Sequence, residues 1–143
     1  LCFREPMVLL SSEGHPMPAL VQTGQLDPSY EIRLPWNQDY DLWHNLYFPI
    51  DSRATLVTDS MPLMEQFIEG KNWVIAPLTV GLGLSRSGVQ ISRLSEPPPD
   101  HLVYFVSKRA PLREPIQQFL RCMDAVLAGY TGIRSYIPSI LGD

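Results

Sequence analysis

The side chains able to do chemistry in this chain are scattered, and their spacing favours binding over catalysis. Ser, His and Asp all occur, but there is no G-x-S-x-G elbow, no HExxH and no phosphate-cradling G-x-x-x-x-G-K-[ST] loop. His15, His44 and His101 fall in a turn, a helix-like segment and the start of a strand, without the spacing of metal ligands. Gly81 and Gly83 make a G-x-G with no third glycine, after a helix-like segment rather than a strand, so no dinucleotide fingerprint is read there. Cys2 and Cys122 are far apart, form no C-x-x-C pair, and read as two reduced thiols of a cytosolic protein. No catalytic residue, metal or cofactor is expected. What remains are polar groups placed where helices begin: Asn37, and the run Thr58, Asp59, Ser60, all able to cap backbone N–H groups.

The elements that carry these groups read as α/β. Leu63, Met64, Phe67 and Ile68 recur on one helix face, while Glu65, Gln66 and Glu69 face away. Gly70 is expected to stop that helix with a left-handed C-cap. Trp73 to Ala76, closed by Pro77, reads as a buried parallel strand. Helix, Gly turn, buried strand and Pro make half of an open sheet, an architecture that binds small molecules at the carboxyl ends of its strands.

Upstream, Met7 to Leu10 reads as a strand leaving into the polar turn Ser11 to Pro16, and Ala19 to Leu26 holds a short helical turn. Tyr30 to Leu34 is a strand stopped by Pro35, with Trp36 and Asn37 just beyond its carboxyl end. Asn37 caps a helix with Leu42, Trp43, Leu46 and Tyr47 on one stripe, read as core and ended by Pro49. Arg53 to Val57 is β-rich, and Pro62 suits the first turn of the next helix. A short helix after Pro77, a strand over Val89 to Leu94, a stiff Pro97 to Pro99 link, an apolar strand over Leu102 to Val106 and a helix over Glu114 to Ala128 follow. Beyond Gly129 no period is legible.

At 143 residues, 45% hydrophobic and 18% charged, the chain can bury an ordinary core. A net charge of -4, a pI near 5.3 and no Lys/Arg run offer nothing to neutralise phosphates, so nucleic-acid contact by this chain is not expected. No apolar run approaches the ~18 residues of a membrane span, and no basic-then-apolar leader opens the chain. It begins on Leu1 rather than Met and is read as an excised piece of something longer.

Taken in order, these residues resemble the effector-binding domain of LysR-type transcriptional regulators, bacterial proteins with an N-terminal winged helix-turn-helix and a C-terminal periplasmic-binding-protein-like domain. Met7 to Leu10 followed by His15, Pro16 and Met17 is similar to that family's strand and H-P-[LM] turn. Gly70 to Pro77 is similar to its G-x-G-[IV]-x-x-[LIV]-P signature, with Asn72 replacing the second glycine. Leu102 to Lys108 and then Pro111 to Phe119 resemble the closing strand and helix, and Leu34 to Asn37 resembles a subset with a W-[GNS] pair.

The resemblance implies an open mixed sheet flanked by helices. Residues 12–100 would form the second subdomain, 1–11 and 101–130 the crossover strands and helix returning to the first, and 131–143 a C-terminal tail. It implies an effector in the inter-subdomain cleft, contacted by Trp36, Asn37, Thr58, Asp59, Ser60, Pro77, Leu78 and Thr79 at strand ends; Trp36 reads equally as a core or interface residue, and Thr58 to Ser60 equally as plain helix caps. The helix openings suit a small polar or carboxylated molecule, with Asp59 opposing an anion beside it. It also implies a dimer or tetramer, a cytoplasmic location, no membrane, and DNA contact only through a preceding domain. The competing readings are a lobe of a periplasmic solute-binding protein and a small α/β enzyme domain.

Overall fold

The computed structural model describes residues 1–108 and 110–143, the Arg86 side chain excepted. The chain divides into two units, Met7–Pro99 on the one hand and Leu1–Pro6 with Asp100–Asp143 on the other.

In the unit 7–99, β2 (Met7–Ser12) is central because its first five residues are buried and demand partners on both sides. It pairs antiparallel with β6 (Trp73–Pro77) and with β7 (Val89–Leu94), and β7 pairs parallel with β3 (Leu20–Val21). A second pair, β4 (Ile32–Arg33) and β5 (Leu56–Val57), is parallel, and a parallel bridge from Glu31 to Trp73 ties it to β6. The sheet is therefore mixed.

Alternation along the strands sorts the core into two faces. Met7, Leu9, Trp73 and Ile75 join Val21, Leu26, Tyr40, Trp43, Phe48 and Leu94. Val8, Leu10, Val74 and Ala76 join Ile32, Leu34, Met64, Ile68 and Val89. Each fully buried apolar side chain contributes about 1.5–3 kcal/mol. Helix α3 (Leu78–Leu84) lies tightly on the second face, since a Cβ on Gly81 would come within 2.8 Å of the Leu10 Cδ2.

Several expectations are corrected here. Trp73 to Ala76 is not a parallel strand in its main ladder: it runs antiparallel to β2 and is parallel only at the Glu31 bridge. All five residues of β6 are buried, and unbroken apolarity reports burial of both faces rather than strand direction. Helix α2 (Met61–Phe67) ends before Gly70, which takes φ +55 in the following turn. Asn72 is not left-handed; its amide instead donates to the Phe67 carbonyl at 3.1 Å, an acceptor it shares with the Glu69 N–H at 2.8 Å. The strand expected over Tyr30 to Leu34 shrinks to β4 because Asp27 caps a 3-10 turn at Pro28–Tyr30, and Arg53 to Val57 shrinks to β5.

Helix α1 (Gln38–Tyr47) begins at Asn37 as expected, but its buried stripe is Tyr40, Trp43 and His44, with Tyr47 half-buried. Leu42 and Leu46, expected in the core, are 59% and 81% exposed. β2 is hydrogen-bonded on both edges within the unit that begins at Met7.

In the other unit, β1 (Phe3–Glu5) pairs antiparallel with β8 (His101–Val103) and β9 (Arg134–Ser135). Helices α4 (Glu114–Leu127) and α5 (Ile137–Leu141) supply Leu120, Leu127 and Ile137 to a core with Cys2 and Phe3. The segment without a legible period is thus ordered into β9 and α5. The strand expected over Leu102 to Val106 stops at Val103, and Leu102, Tyr104 and Val106 are exposed, as are Phe119 and Val126 of α4. Buried Glu5 meets His101 Nδ1 at 3.2 Å, and Arg4 meets Asp100 at 3.3 Å.

Candidate functional site

Parallel pairing puts the carboxyl ends of β4, β5 and β6 on one edge of the unit 7–99. Each strand is followed by a helix: α1 after β4, α2 after β5 and α3 after β6. All eight residues expected to contact a ligand fall in the turns or first helical residues at that edge, or, for Pro77, at the strand end itself.

Trp36 is half-buried, packs on both core faces, and donates its indole N–H to the Ile75 carbonyl at 2.8 Å. It pins the β4–α1 turn to β6. Asn37 is exposed and its Oδ1 accepts the Tyr40 N–H at 2.8 Å, so its amide oxygen is spent on the cap. The Thr58 N–H donates to the Arg33 carbonyl at 3.0 Å, and its Oγ1 accepts the Ser60 N–H at 3.0 Å. Ser60 Oγ accepts the Leu63 N–H at 3.3 Å as the cap of α2. Both hydroxyls therefore use an acceptor position locally, while each O–H remains a donor. Asp59 is exposed; Pro77 ends β6 opposite Met7; Leu78 and Thr79 open α3, half-buried.

Of the eight, Thr58 and Asp59 share a hollow of about 540 Å³ with Arg33, Leu34, Pro35, Asp41 and Val57. Trp36, Asn37, Ser60, Pro77, Leu78 and Thr79 do not line it. Arg33 is not among the residues expected from the sequence; it is a cation at the last position of β4, at the edge where the hollow lies. The guanidinium lies 3.7 Å from Asp41 Oδ1 with both side chains partly solvated, a loose pair of little intrinsic strength. A guanidinium offers five N–H donors, so an incoming carboxylate competes with one weakly held partner. Asp41 and Asp59 make the hollow's formal sum negative and limit it to ligands that reach Arg33 directly.

Beneath this edge, His44 Nε2 sits 2.8 Å from both carboxylate oxygens of Glu31, each side chain 3% exposed. The pair fastens α1 to the segment leading into β4. Burial, and secondarily the Glu31 charge, pushes the neighbouring Tyr40 phenol well above its ordinary range.

No family model matches the sequence, and no curated protein matches it. Solved structures match in fold. A putative LysR family transcriptional regulator from Pseudomonas aeruginosa aligns over 86% of this chain and 46% of its own, at TM-score 0.60 and 19% identity. The Synechocystis PCC6803 CcmR regulatory domain, solved in complex with 2-PG, aligns over 87% of this chain and 64% of its own, at TM-score 0.56 and 20% identity. The reduced form of OxyR aligns over 90% and 63%, at TM-score 0.53 and 22% identity. The chain has the mixed α/β, periplasmic-binding-protein-like fold of LysR-family regulatory domains. It spans between about half and just under two thirds of the length of these structures.

Proposed function

We propose that this chain is the effector-sensing part of a bacterial LysR-type transcriptional regulator, working in the cytoplasm and reaching DNA through a domain outside this sequence. The observation that carries the reading is the convergence of three parallel strand ends, with their capping hydroxyls and Arg33, on one edge of a fold shared with LysR-family regulatory domains. The ligand is a small polar or carboxylated molecule. Arg33 takes its charge, the Thr58 hydroxyl orients it, Ser60 holds the Thr58 turn by donating its N–H to that hydroxyl oxygen, and Trp36, Asn37, Asp59 and the Pro77–Leu78–Thr79 step shape the edge. That CcmR was solved with 2-PG, a small ligand on the same fold, supports this class. Among the described residues, no helix is long and apolar enough to cross a membrane.

The first test is the coding sequence upstream of Leu1. A winged helix-turn-helix followed by a long linker helix is expected; a secretory signal would transfer the chain to solute capture. In the intact protein, Thr58→Ala with Ser60→Ala weakens transcriptional response to effector by about tenfold, the equivalent of ~1.4 kcal/mol of lost hydrogen bonding. Affinity for operator DNA stays unchanged. An unaltered response in a reporter assay removes these hydroxyls from the site.

Self-association belongs to the same proposal. Leu42 and Leu46 lie one turn apart on the outer face of α1, and Ile50 beyond it is 85% exposed. Side chains so exposed add nothing to the core, whereas a partner surface would bury them. Leu46→Glu is expected to raise the dimer dissociation constant at least about tenfold in sedimentation equilibrium without changing thermal stability. Identical dissociation constants would place the interface elsewhere.

A further inference from the structure

The unit 7–99 carries a larger hollow, of about 610 Å³, at the opposite edge of its sheet. β6 starts in it at Trp73 and reaches the other edge at Pro77, about 13 Å away at ordinary strand rise. Its walls are mainly apolar, with Met17, Leu20, Val21, Leu26, Tyr30 and Trp73, and the amide side chains of Gln22, Gln25 and Asn72 also line it. Its charges are few and engaged. The Asp27 carboxylate accepts the Ser29 hydroxyl at 2.7 Å and the Ser29 N–H at 2.9 Å, which holds it below the usual carboxylate range with help from Lys71. The Lys71 ammonium lies 5.7 Å from the centre of the Tyr30 ring. One cation and one anion leave the rim without net charge, with exposed His15 beside them.

Ser11 gives this hollow a recognition group. It lines the hollow and is 1% exposed, and its hydroxyl has no hydrogen-bond partner among the described residues. Its place in β2 puts the side chain on the face of Met7 and Leu9, the face that also carries Val21, Leu26 and Trp73. A buried hydroxyl left unpaired is costly, and such groups in native structures call for a reason. Ser92 is in the same condition on the same face, diagonal to Ser11 across β2 and β7, yet it does not line the hollow. It serves as an internal control.

We infer that this hollow is a binding site for a small, uncharged, largely aromatic molecule whose one polar group hydrogen-bonds to Ser11. The volume suits such a ligand, and an apolar pocket with a few convergent polar groups is the usual form of a small-molecule site. Tyr30 and Trp73 offer ring faces, and the neutral rim gives no advantage to an anion. This site does not depend on the reading of the opposite edge.

The test is a titration of the ¹⁵N-labelled 143-residue chain with 2-naphthol, and separately with 2-naphthoate, followed by amide and indole N–H shifts. Saturable shifts at Ser11, Val21, Leu26 and the Trp73 indole are expected with 2-naphthol, and binding at least several-fold weaker with 2-naphthoate. Ser11→Ala should weaken 2-naphthol binding about tenfold, 1.4 kcal/mol, while leaving the fold intact because it removes an unpaired hydroxyl. Ser92→Ala should leave binding unchanged. Leu20→Trp, at a position already 47% exposed, should fill the hollow and abolish binding. Shifts that do not saturate, or that survive both Ser11→Ala and Leu20→Trp, would overturn the assignment. So would tighter binding of 2-naphthoate, or shifts of the same residues on simple dilution, which would mark a second copy as the occupant.

Discussion

Replacing His44 with Leu is expected to destabilise the chain by about 3–5 kcal/mol, because it leaves the Glu31 carboxylate buried without its partner. Glu31 and His44 are among the few buried ionisable groups of the unit 7–99, and their 2.8 Å contacts use both carboxylate oxygens. The ring is packed under Phe48 at 4.8 Å and Tyr40 at 6.0 Å between centroids, so water cannot replace the lost hydrogen bonds without disrupting that aromatic layer. Glu31→Gln keeps the shape and one acceptor and should cost less, about 1–3 kcal/mol. The double variant Glu31→Leu/His44→Leu should be more stable than His44→Leu alone, since two apolar side chains of similar size carry no desolvation penalty. The readout is the urea midpoint at constant slope. A loss under about 1 kcal/mol for His44→Leu would show that aromatic packing, not this pair, holds α1 against β4.

That pair also explains where the sequence could be read and where it could not. Asn37 and Ser60 were legible as caps because capping is local: a short polar side chain followed by a helical period is enough. β6 was legible as a strand for the same reason, while its antiparallel ladder with β2 depends on residues more than sixty positions away and leaves no local trace.

The buried stripe of α1 was misjudged because two stripes interleave on one helix and share Trp43 and Tyr47. Leu42 and Leu46 extend one of them, Tyr40 and His44 the other. By hydrophobicity the leucines belong inside. His44 is buried instead because Glu31, thirteen residues upstream, satisfies it, a pairing no periodicity reveals. The lining of the hollow followed the same division. Thr58 and Asp59 could be named from a helix start, but Arg33 reads as an ordinary strand residue until parallel pairing brings the β4 and β5 ends together.

Trp73→Ala should be as severe as His44→Leu, about 3–5 kcal/mol, by the cost of emptying a packed aromatic site. Trp73 is 1% exposed, opens β6 opposite Ser11, and stands 5.7 Å from Phe48. Its indole N–H donates to the Asp27 carbonyl at 2.9 Å, tying the Asp27–Tyr30 turn to the sheet. Trp73→Phe isolates that bond: ring burial largely remains, and the expected loss falls to about 1 kcal/mol. Because Phe48 touches both His44 and Trp73, the two severe substitutions share a neighbour and should not add. A double-mutant cycle on His44→Leu and Trp73→Ala is expected to give an interaction term of about 0.5–3 kcal/mol. Strict additivity would mean that Phe48 stays fixed when either neighbour is removed. The aromatic layer would then be separate contacts rather than a continuous link from the Glu31–His44 pair to the wall of the Ser11 hollow.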